Sequence, residues 1–598
     1  MKSVKHPLLI LFVCCVQPLL AQYFEFQWSD KLDYANNKEG FFSGVVGTNS
    51  QYIYTLNHNY AVSPLRQNKQ LKLISYDKLK LSEAAAVPLK GYPENSGTAK
   101  FFDELEYHQT VVLEDWVLIF WVKTIDTDST QTEEIYVQSY KHGLAPGQQI
   151  RQIYTITQRT DGPVVPLPRA SLVIAGNQEA DRVIVGSEIQ EAGKLVFRYL
   201  VLESKLTASA EHVLTLPVGN PVSQNGIAAD YEYGRDGNLY IRKQVPLSNE
   251  ERDLETLNKA KSYLRLTVVH PASGKQTTLA VRGANKTITD FSYLITGKKT
   301  KVYGFFGDLE KDPSGIDKQG IFYTEIDSET LADAALNYAY FEKTTLNRLF
   351  PKSKGGRKRN KEADELAREE ALLTRFDIEQ LFEMENGDVV LFFTRKYNYT
   401  EITSKSGFDG KNVYKTDLYC EKNNISAIRI TTEGKILWTS NVERTITYTG
   451  TDIADLQVIY KLNKFYVIAG SENPEAVPKK RAKKESTYKE QLEYASFDPL
   501  SGKAKKFVLE VNEEDVLPKN RRSVDPKSIR VYDGNYYFHK SVMRQKPIWY
   551  VANVLFFPSI YYAVLSGNTK HATGDLGVLT LKDGKPERRK KAPKSRKK

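Results

Sequence analysis

The chain has 598 residues, 41% of them hydrophobic and 26% charged, with a formal net charge of +11. Three cysteines exclude a disulfide-stapled fold and a cysteine metal cluster, and the length is ample for a large apolar core. The charge is unevenly placed. Residues 582–598 hold ten Lys or Arg against two acids, so the body is close to neutral and a basic field spread over the fold is excluded.

At the N-terminus, Lys2 and Lys5 precede the apolar stretch 7–20, followed by Ala21-Gln22. That order reads as a secretory signal peptide over 1–21. Cys14 and Cys15 lie within its apolar core behind Val13, not behind the small residues that lipid attachment needs, so after cleavage Cys420 alone remains. The mature chain then opens on Tyr23-Phe24-Glu25-Phe26-Gln27-Trp28, which alternates with the period of a strand.

A unit of two apolar strands recurs eight times. The earlier strands fall at 52–56, 116–122, 182–186, 239–242, 302–306, 389–393, 465–469 and 536–539. The later ones fall at 71–75, 135–139, 195–201, 263–269, 321–325, 426–430, 492–496 and 577–580. Turns rich in Asp, Pro, Ser and Gly follow the later strands, as in Asp498-Pro499-Leu500-Ser501-Gly502-Lys503. Asp236-Gly237-Asn238, Asn386-Gly387-Asp388 and Asp533-Gly534-Asn535 lead into the earlier ones, which is hairpin chemistry. The repeat predicts an all-β fold, a β-propeller over 22–585, with eight blades favoured over seven. The eighth unit ends after its third strand, and the N-terminal strand is expected to supply the fourth and close the ring. The alternative is two stacked β-domains.

Three insertions interrupt the repeat. Residues 336–375 read as two helices, with Phe341, Leu346, Leu349 and Phe350 on the first and Leu366, Leu372 and Leu373 on the second. A basic run containing Lys352, Lys354, Arg357, Lys358 and Arg359 separates them, and the seventh unit carries Lys479, Lys480 and Arg481 between its strands. The eighth carries 547–565, which has no charged residue and includes Trp549, Tyr550, Phe556 and Phe557. That stretch approaches a membrane-spanning length, but Asn553, Pro558 and three tyrosines fit a packed strand pair or an exposed apolar loop better. In a four-stranded blade all three insertions belong on one face. The tail 586–598, with Arg588, Arg589, Lys590 and Lys591, is too charged to bury a core and is expected to be disordered.

No motif names a chemistry. The histidines at 58, 108, 142, 212, 270, 539 and 571 lack metal-ligand spacing, and there is no P-loop, G-x-G-x-x-G or G-x-S-x-G. Asp126-Thr127-Asp128-Ser129-Thr130 begins like a calcium loop, but Gln131 replaces the required Gly and Val137 the bidentate Glu. No catalytic residue, metal or cofactor is therefore expected.

Gly434-Lys435-Ile436-Leu437-Trp438 resembles the tryptophan-docking motif of quinoprotein propellers, in which a Gly four residues before a Trp lets the indole pack between blades. It occurs in one unit of eight, and the adjacent cysteine pair of many quinoprotein dehydrogenases is missing. More broadly, the chain resembles uncharacterised secreted proteins of Gram-negative bacteria. The likeness rests on a signal ending in Ala-Gln, on Trp28-Ser29-Asp30, and on the unit from Asp377 through Glu385-Asn386-Gly387-Asp388 to Trp438. It implies export across the inner membrane to the periplasm or cell surface, and carries no functional residues.

The expected role is a binding or scaffold module for a protein of the cell envelope. Basic loops would steer an acidic partner toward an apolar loop. Two alternatives stand beside it: a tether to anionic lipid or glycan through the basic tail, and a propeller enzyme acting on a saccharide or peptide. No nucleic-acid partner is expected.

Overall fold

In the computed structural model the described residues are 22–29, 32–34, 41–60, 69–89, 105–127, 129–145, 147, 150–159, 171–191, 194–203, 205–216, 230–246, 262–281, 286–308, 318–332, 335–342, 345, 375–406, 412–449, 456–472, 490–508, 529–543 and 572–583. They form eight antiparallel sheets, seven of four strands and one with a short fifth. Each of the first seven is one blade, built from four strands hydrogen-bonded in chain order. Blade 1 runs from Phe41–Thr48 to Glu83–Pro88, blade 2 from Glu106–Val112 to Arg151–Arg159, and blade 3 from Ser171–Asn177 to His212–Leu216. Blade 4 runs from Asp230–Tyr233 to Gln276–Val281, blade 5 from Lys286–Thr296 to Asn337–Tyr340, blade 6 from Arg375–Glu383 to Ile436–Thr449, and blade 7 from Leu456–Lys461 to Ala504–Val508.

Blade 8 takes three strands from the C-terminal region, Arg530–Tyr532, Asn535–Met543 and Ala572–Asp583. Its fourth is the N-terminal strand Gln22–Trp28, in register from Gln22 opposite Asp583 to Trp28 opposite Gly577. Ser29 continues the join: its N–H donates to Leu576 O at 2.8 Å, and its Oγ accepts from Leu576 N–H at 2.9 Å. Leu32–Tyr34 pairs with the start of the same C-terminal strand. An N-terminal and three C-terminal strands thus complete one sheet, which packs on blade 1 and on blade 7 to close the ring.

The core is divided in the way a ring requires. Each apolar cluster straddles two adjacent blades. Val111, Leu118 and Phe120 of blade 2 pack on Val183, Val185 and Leu202 of blade 3. Phe305 and Ile321 of blade 5 pack on Phe376, Leu391 and Phe393 of blade 6. Ile53, Ile74 and Tyr76 of blade 1 pack on Tyr537, Leu576 and Val578 of blade 8. Together the clusters cover all eight junctions. Second and third strands contribute to both sides, and central runs such as Val117–Trp121 and Val389–Phe393 are apolar throughout because both of their faces are buried. The protein is an eight-bladed β-propeller.

The helical reading of 336–375 is corrected at its ends. Asn337–Tyr340 is the fourth strand of blade 5, pairing Gly320 with Tyr340 and Tyr323 with Asn337. At the other end, Arg375 opens the first strand of blade 6. Leu336, Tyr338 and Tyr340 alternate, and the unpaired third strand offers the ladder that a strand completes. Residues 346–374, including the rest of both expected helices, lie outside the described residues.

Candidate functional site

Strand direction alternates across a blade, so the ring has two unlike faces. Hairpin turns between first and second strands, and between third and fourth, emerge on one of them, the turn face. Connections between second and third strands, and links between blades, emerge on the other, the loop face. The described strand ends that flank 341–374, 473–489 and 544–571 all belong to the loop face. The sequence-predicted site residues themselves lie outside the described residues: Lys352, Lys354, Arg357, Lys358, Arg359, Lys479, Lys480, Arg481, Trp549, Tyr550, Phe556 and Phe557, with Arg588, Arg589, Lys590 and Lys591 of the tail.

The described residues add a fourth excursion on that face. The second and third strands of blade 6, Val389–Ser406 and Asn412–Ile430, are the longest in the protein as described. They stay paired from Val389 opposite Ile430 out to Ser406 opposite Asn412. The first strand stops at Arg375, opposite Lys396, and the fourth reaches Thr449, opposite Tyr419. Beyond those points a bare two-stranded ribbon projects from the loop face.

The root of this ribbon is held by buried charge. Glu379 sits at a bulge in the first strand, where Ile378 and Gln380 pair with consecutive residues of the second. Its Oε1 accepts from Thr394 Oγ1 at 2.8 Å and from Lys422 Nζ at 2.9 Å. Lys422, 1% exposed, also lies 3.5 Å from Asp377, which is 3.4 Å from Lys396. Asn424 adopts φ 57° between shifts in register to both neighbouring strands. The ribbon therefore leaves the blade just beyond a defined irregularity in its ladder and rests on an ion-paired base.

A second, half-buried group joins blades 3 and 4. Glu188 accepts from Lys243 through Oε1 and from Tyr231 through Oε2. Desolvation lowers the Lys243 pKa despite the carboxylate beside it, and burial with the Glu188 charge pushes Tyr231 well up. The described contacts make this group an inter-blade joint, since all three side chains satisfy one another.

On the turn face, aromatic side chains reach from one blade to the next. Tyr199 OH donates to Pro271 O at 3.3 Å, Tyr323 OH to Glu433 O at 2.7 Å, and Trp438 Nε1 to Pro499 O at 3.0 Å. In each case the acceptor is a carbonyl in the third-to-fourth turn of the following blade. Two clefts open beside these joints. One, of about 700 Å³ between blades 3 and 4, is bordered by Arg182, Glu203, His212, Tyr233, Asp236 and His270. The other, of about 580 Å³ between blades 5 and 6, is bordered by Lys298, Lys299, Lys301, Tyr323, Glu325 and Glu383.

His142 also departs from a plain surface position. Its Nδ1 lies 3.0 Å from Asn49 Nδ2 and its Nε2 3.1 Å from Asp115 Oδ1. Asn49 Nδ2 bonds Tyr54 OH and Glu114 O as well, so the ring is part of the joint between blades 1 and 2. The segment that begins like a calcium loop is a tight hairpin, with Thr127 N–H donating to Thr130 O at 2.8 Å. Among the described residues no three His, Cys, Asp or Glu side chains are grouped to hold a metal, and no helix is long and apolar enough to cross a membrane.

No family model and no curated protein matches the chain. Solved structures with a similar course include the β-propeller domain of the trilobed protease from Pyrococcus furiosus. It is 9% identical, with 69% of this chain and 95% of that one covered and a TM-score of 0.28. Pyrococcus horikoshii acylaminoacyl peptidase is 10% identical over 86% of this chain and 59% of its own, with a TM-score of 0.29. Drosophila plexin A in complex with semaphorin 1b is 12% identical over 74% and 86%, with a TM-score of 0.25. Similarity at this level transfers no residue and no activity.

Proposed function

We propose that this protein is an exported scaffold of the cell envelope that holds a protein partner on its loop face. One observation carries the reading: the blade 6 ribbon projects from the face to which the three long, chemically distinctive connections also belong. Binding residues gather on loops carried by a rigid frame, and a ring with eight packed junctions is such a frame. The charged and apolar N-terminal segment supports export, and the basic runs in the connections favour an acidic partner.

The test replaces residues 400–418 with Asn-Gly, a turn that can rejoin Tyr399 and Tyr419 across their ladder position. Full-length protein and this variant are crosslinked in their native envelope and the partners identified. A stoichiometric protein captured at high salt by the full-length chain, and lost or reduced at least tenfold with the variant, supports the reading. Equal capture by both, or recovery of only salt-labile lipid or glycan, overturns it.

A further inference from the structure

The two turn-face clefts occupy equivalent positions, each between the third strand of one blade and the third-to-fourth turn of the next. Their chemistry differs, so it is not imposed by the architecture. In the cleft between blades 3 and 4 the one basic chain with a permanent charge, Arg182, faces Glu203 at 3.6 Å. The cleft between blades 5 and 6 draws three lysines from a single turn and strand. Lys299 pairs with Glu325 at 2.6 Å; Lys301 pairs with Glu383 at 2.8 Å and donates to Gly387 O at 2.9 Å. Lys298 has no ion-pair partner among the described residues. Its backbone is nevertheless fixed, since its carbonyl accepts from Ser328 N–H at 3.0 Å. One uncompensated ammonium therefore stands on a rigid turn at the mouth of the cleft.

The remaining lining limits what that ammonium can take. A densely charged anion would meet Glu325 and Glu383, whose carboxylates repel it. A ligand with one negative charge and several hydroxyls meets a smaller repulsion, and its hydroxyls can donate to the same carboxylates, which still have free lone pairs. Tyr323 contributes an aromatic side chain whose position is set by its bond to Glu433 O. The volume, about 580 Å³, falls within the usual range for small-molecule sites, roughly 300–1,000 Å³. We propose that the cleft between blades 5 and 6 binds a singly charged, polyhydroxylated carboxylate of the uronic-acid type. It lies on the face opposite the scaffold surface and does not depend on that reading.

The probe is sodium D-glucuronate, titrated into the mature protein by calorimetry, with D-glucose and inorganic phosphate titrated separately. Saturable binding of glucuronate is expected, with glucose and phosphate at least tenfold weaker. Lys298→Ala should weaken glucuronate about tenfold or more, as loss of a charged hydrogen bond does, with an unchanged thermal transition because Lys298 is exposed and its ammonium has no ion pair among the described residues. Lys275→Ala, on another exposed turn, serves as the control and should bind normally. Absence of saturable glucuronate binding overturns the assignment. So does undiminished binding by Lys298→Ala, or phosphate binding as tightly as glucuronate.

Discussion

The indole of Trp438 packs so closely on Gly502 of the next blade that a Cβ at that glycine would stand 2.6 Å from Cδ2 of the ring. Gly502 also has φ +67°, a conformation that costs an L side chain about 1 kcal/mol or more. Gly502→Ala therefore combines backbone strain with a collision at the joint between blades 6 and 7, and should cost about 3 kcal/mol. Gly534→Ala is the internal control. Its φ is +66° but nothing lies within 4 Å of the added carbon, so it should cost only about 1 kcal/mol. Urea unfolding of the two variants measures the difference. Equal losses would show that the aromatic joint adds nothing beyond the turn.

Ring closure rests on Phe24. Its ring stands edge-on to Tyr494, with centroids 4.9 Å apart, and also contacts Tyr466 of blade 7 and Tyr536 of blade 8. A strand that supplies the last ladder of blade 8 is thus anchored in the neighbouring blade as well. Phe24→Ala should lower stability by about 3 kcal/mol, near the low end for deleting a packed phenylalanine. Hydrogen exchange should accelerate first in Ala572–Asp583, the strand that Gln22–Trp28 covers. Protection lost evenly around the ring would argue against the N-terminal strand as its closing element.

Which parts of this architecture were legible in the sequence follows from burial. Second and third strands pack on both faces, so Val117 to Phe120 and Val389 to Phe393 read as continuous apolar runs. The turns were legible from their capping chemistry. Asp327 Oδ1 accepts from the N–H groups of Glu329 and Thr330, and Asp498 Oδ1 from those of Leu500 and Ser501. First and fourth strands carry weaker signals where they are short and half-exposed: Asn337–Tyr340 has four residues, and the apolar residues beyond it, with helical spacing, obscure its alternation. The blade 6 ribbon carries no apolar run, since Tyr397 to Ser406 is mostly polar and β-branched. Asp409-Gly410, between its two strands in sequence, is the signal a hairpin would leave. Both clefts are formed by side chains from two blades at once, a juxtaposition that no local pattern encodes.

Asp388 and Arg429 form a buried pair, 7% and 8% exposed. Asp388 Oδ2 accepts from Arg429 Nε at 2.9 Å and Nη2 at 2.6 Å, while Arg429 Nη1 donates to Pro499 O at 2.8 Å. The carbonyl of Pro499 is the acceptor of Trp438 as well, so the pair and the indole hold the same turn. Asp388→Ala leaves an uncompensated guanidinium and should cost about 3–5 kcal/mol. Asp388→Ala combined with Arg429→Met removes both charges and should cost less than the single change. A double variant less stable than Asp388→Ala alone would assign the stabilisation to the Arg429–Pro499 bond instead.

Alkaline pH should unfold the ring through its tyrosines. Burial is the leading cause that pushes Tyr54, Tyr136 and Tyr199 up to about 12, and it raises Tyr240, Tyr293 and Tyr536 as well. A phenol with a raised folded pKa stabilises the folded state fully below its unfolded value, near 10. That contribution is lost as pH climbs toward the folded value. Each such residue then removes about 1.4 kcal/mol per pH unit across the window. Lys243 runs the other way: its lowered pKa favours the folded state increasingly as pH rises toward the ordinary lysine value, but it is one group against several. The measurement is tyrosinate absorbance together with circular dichroism from pH 8 to 13. Exposed tyrosines should titrate near pH 10 with the β-sheet signal intact. The buried set should appear abruptly closer to pH 12, coincident with loss of that signal. A single smooth titration centred on pH 10 with the fold preserved would mean that these phenols reach solvent, and that the inter-blade packing is looser than the described contacts require.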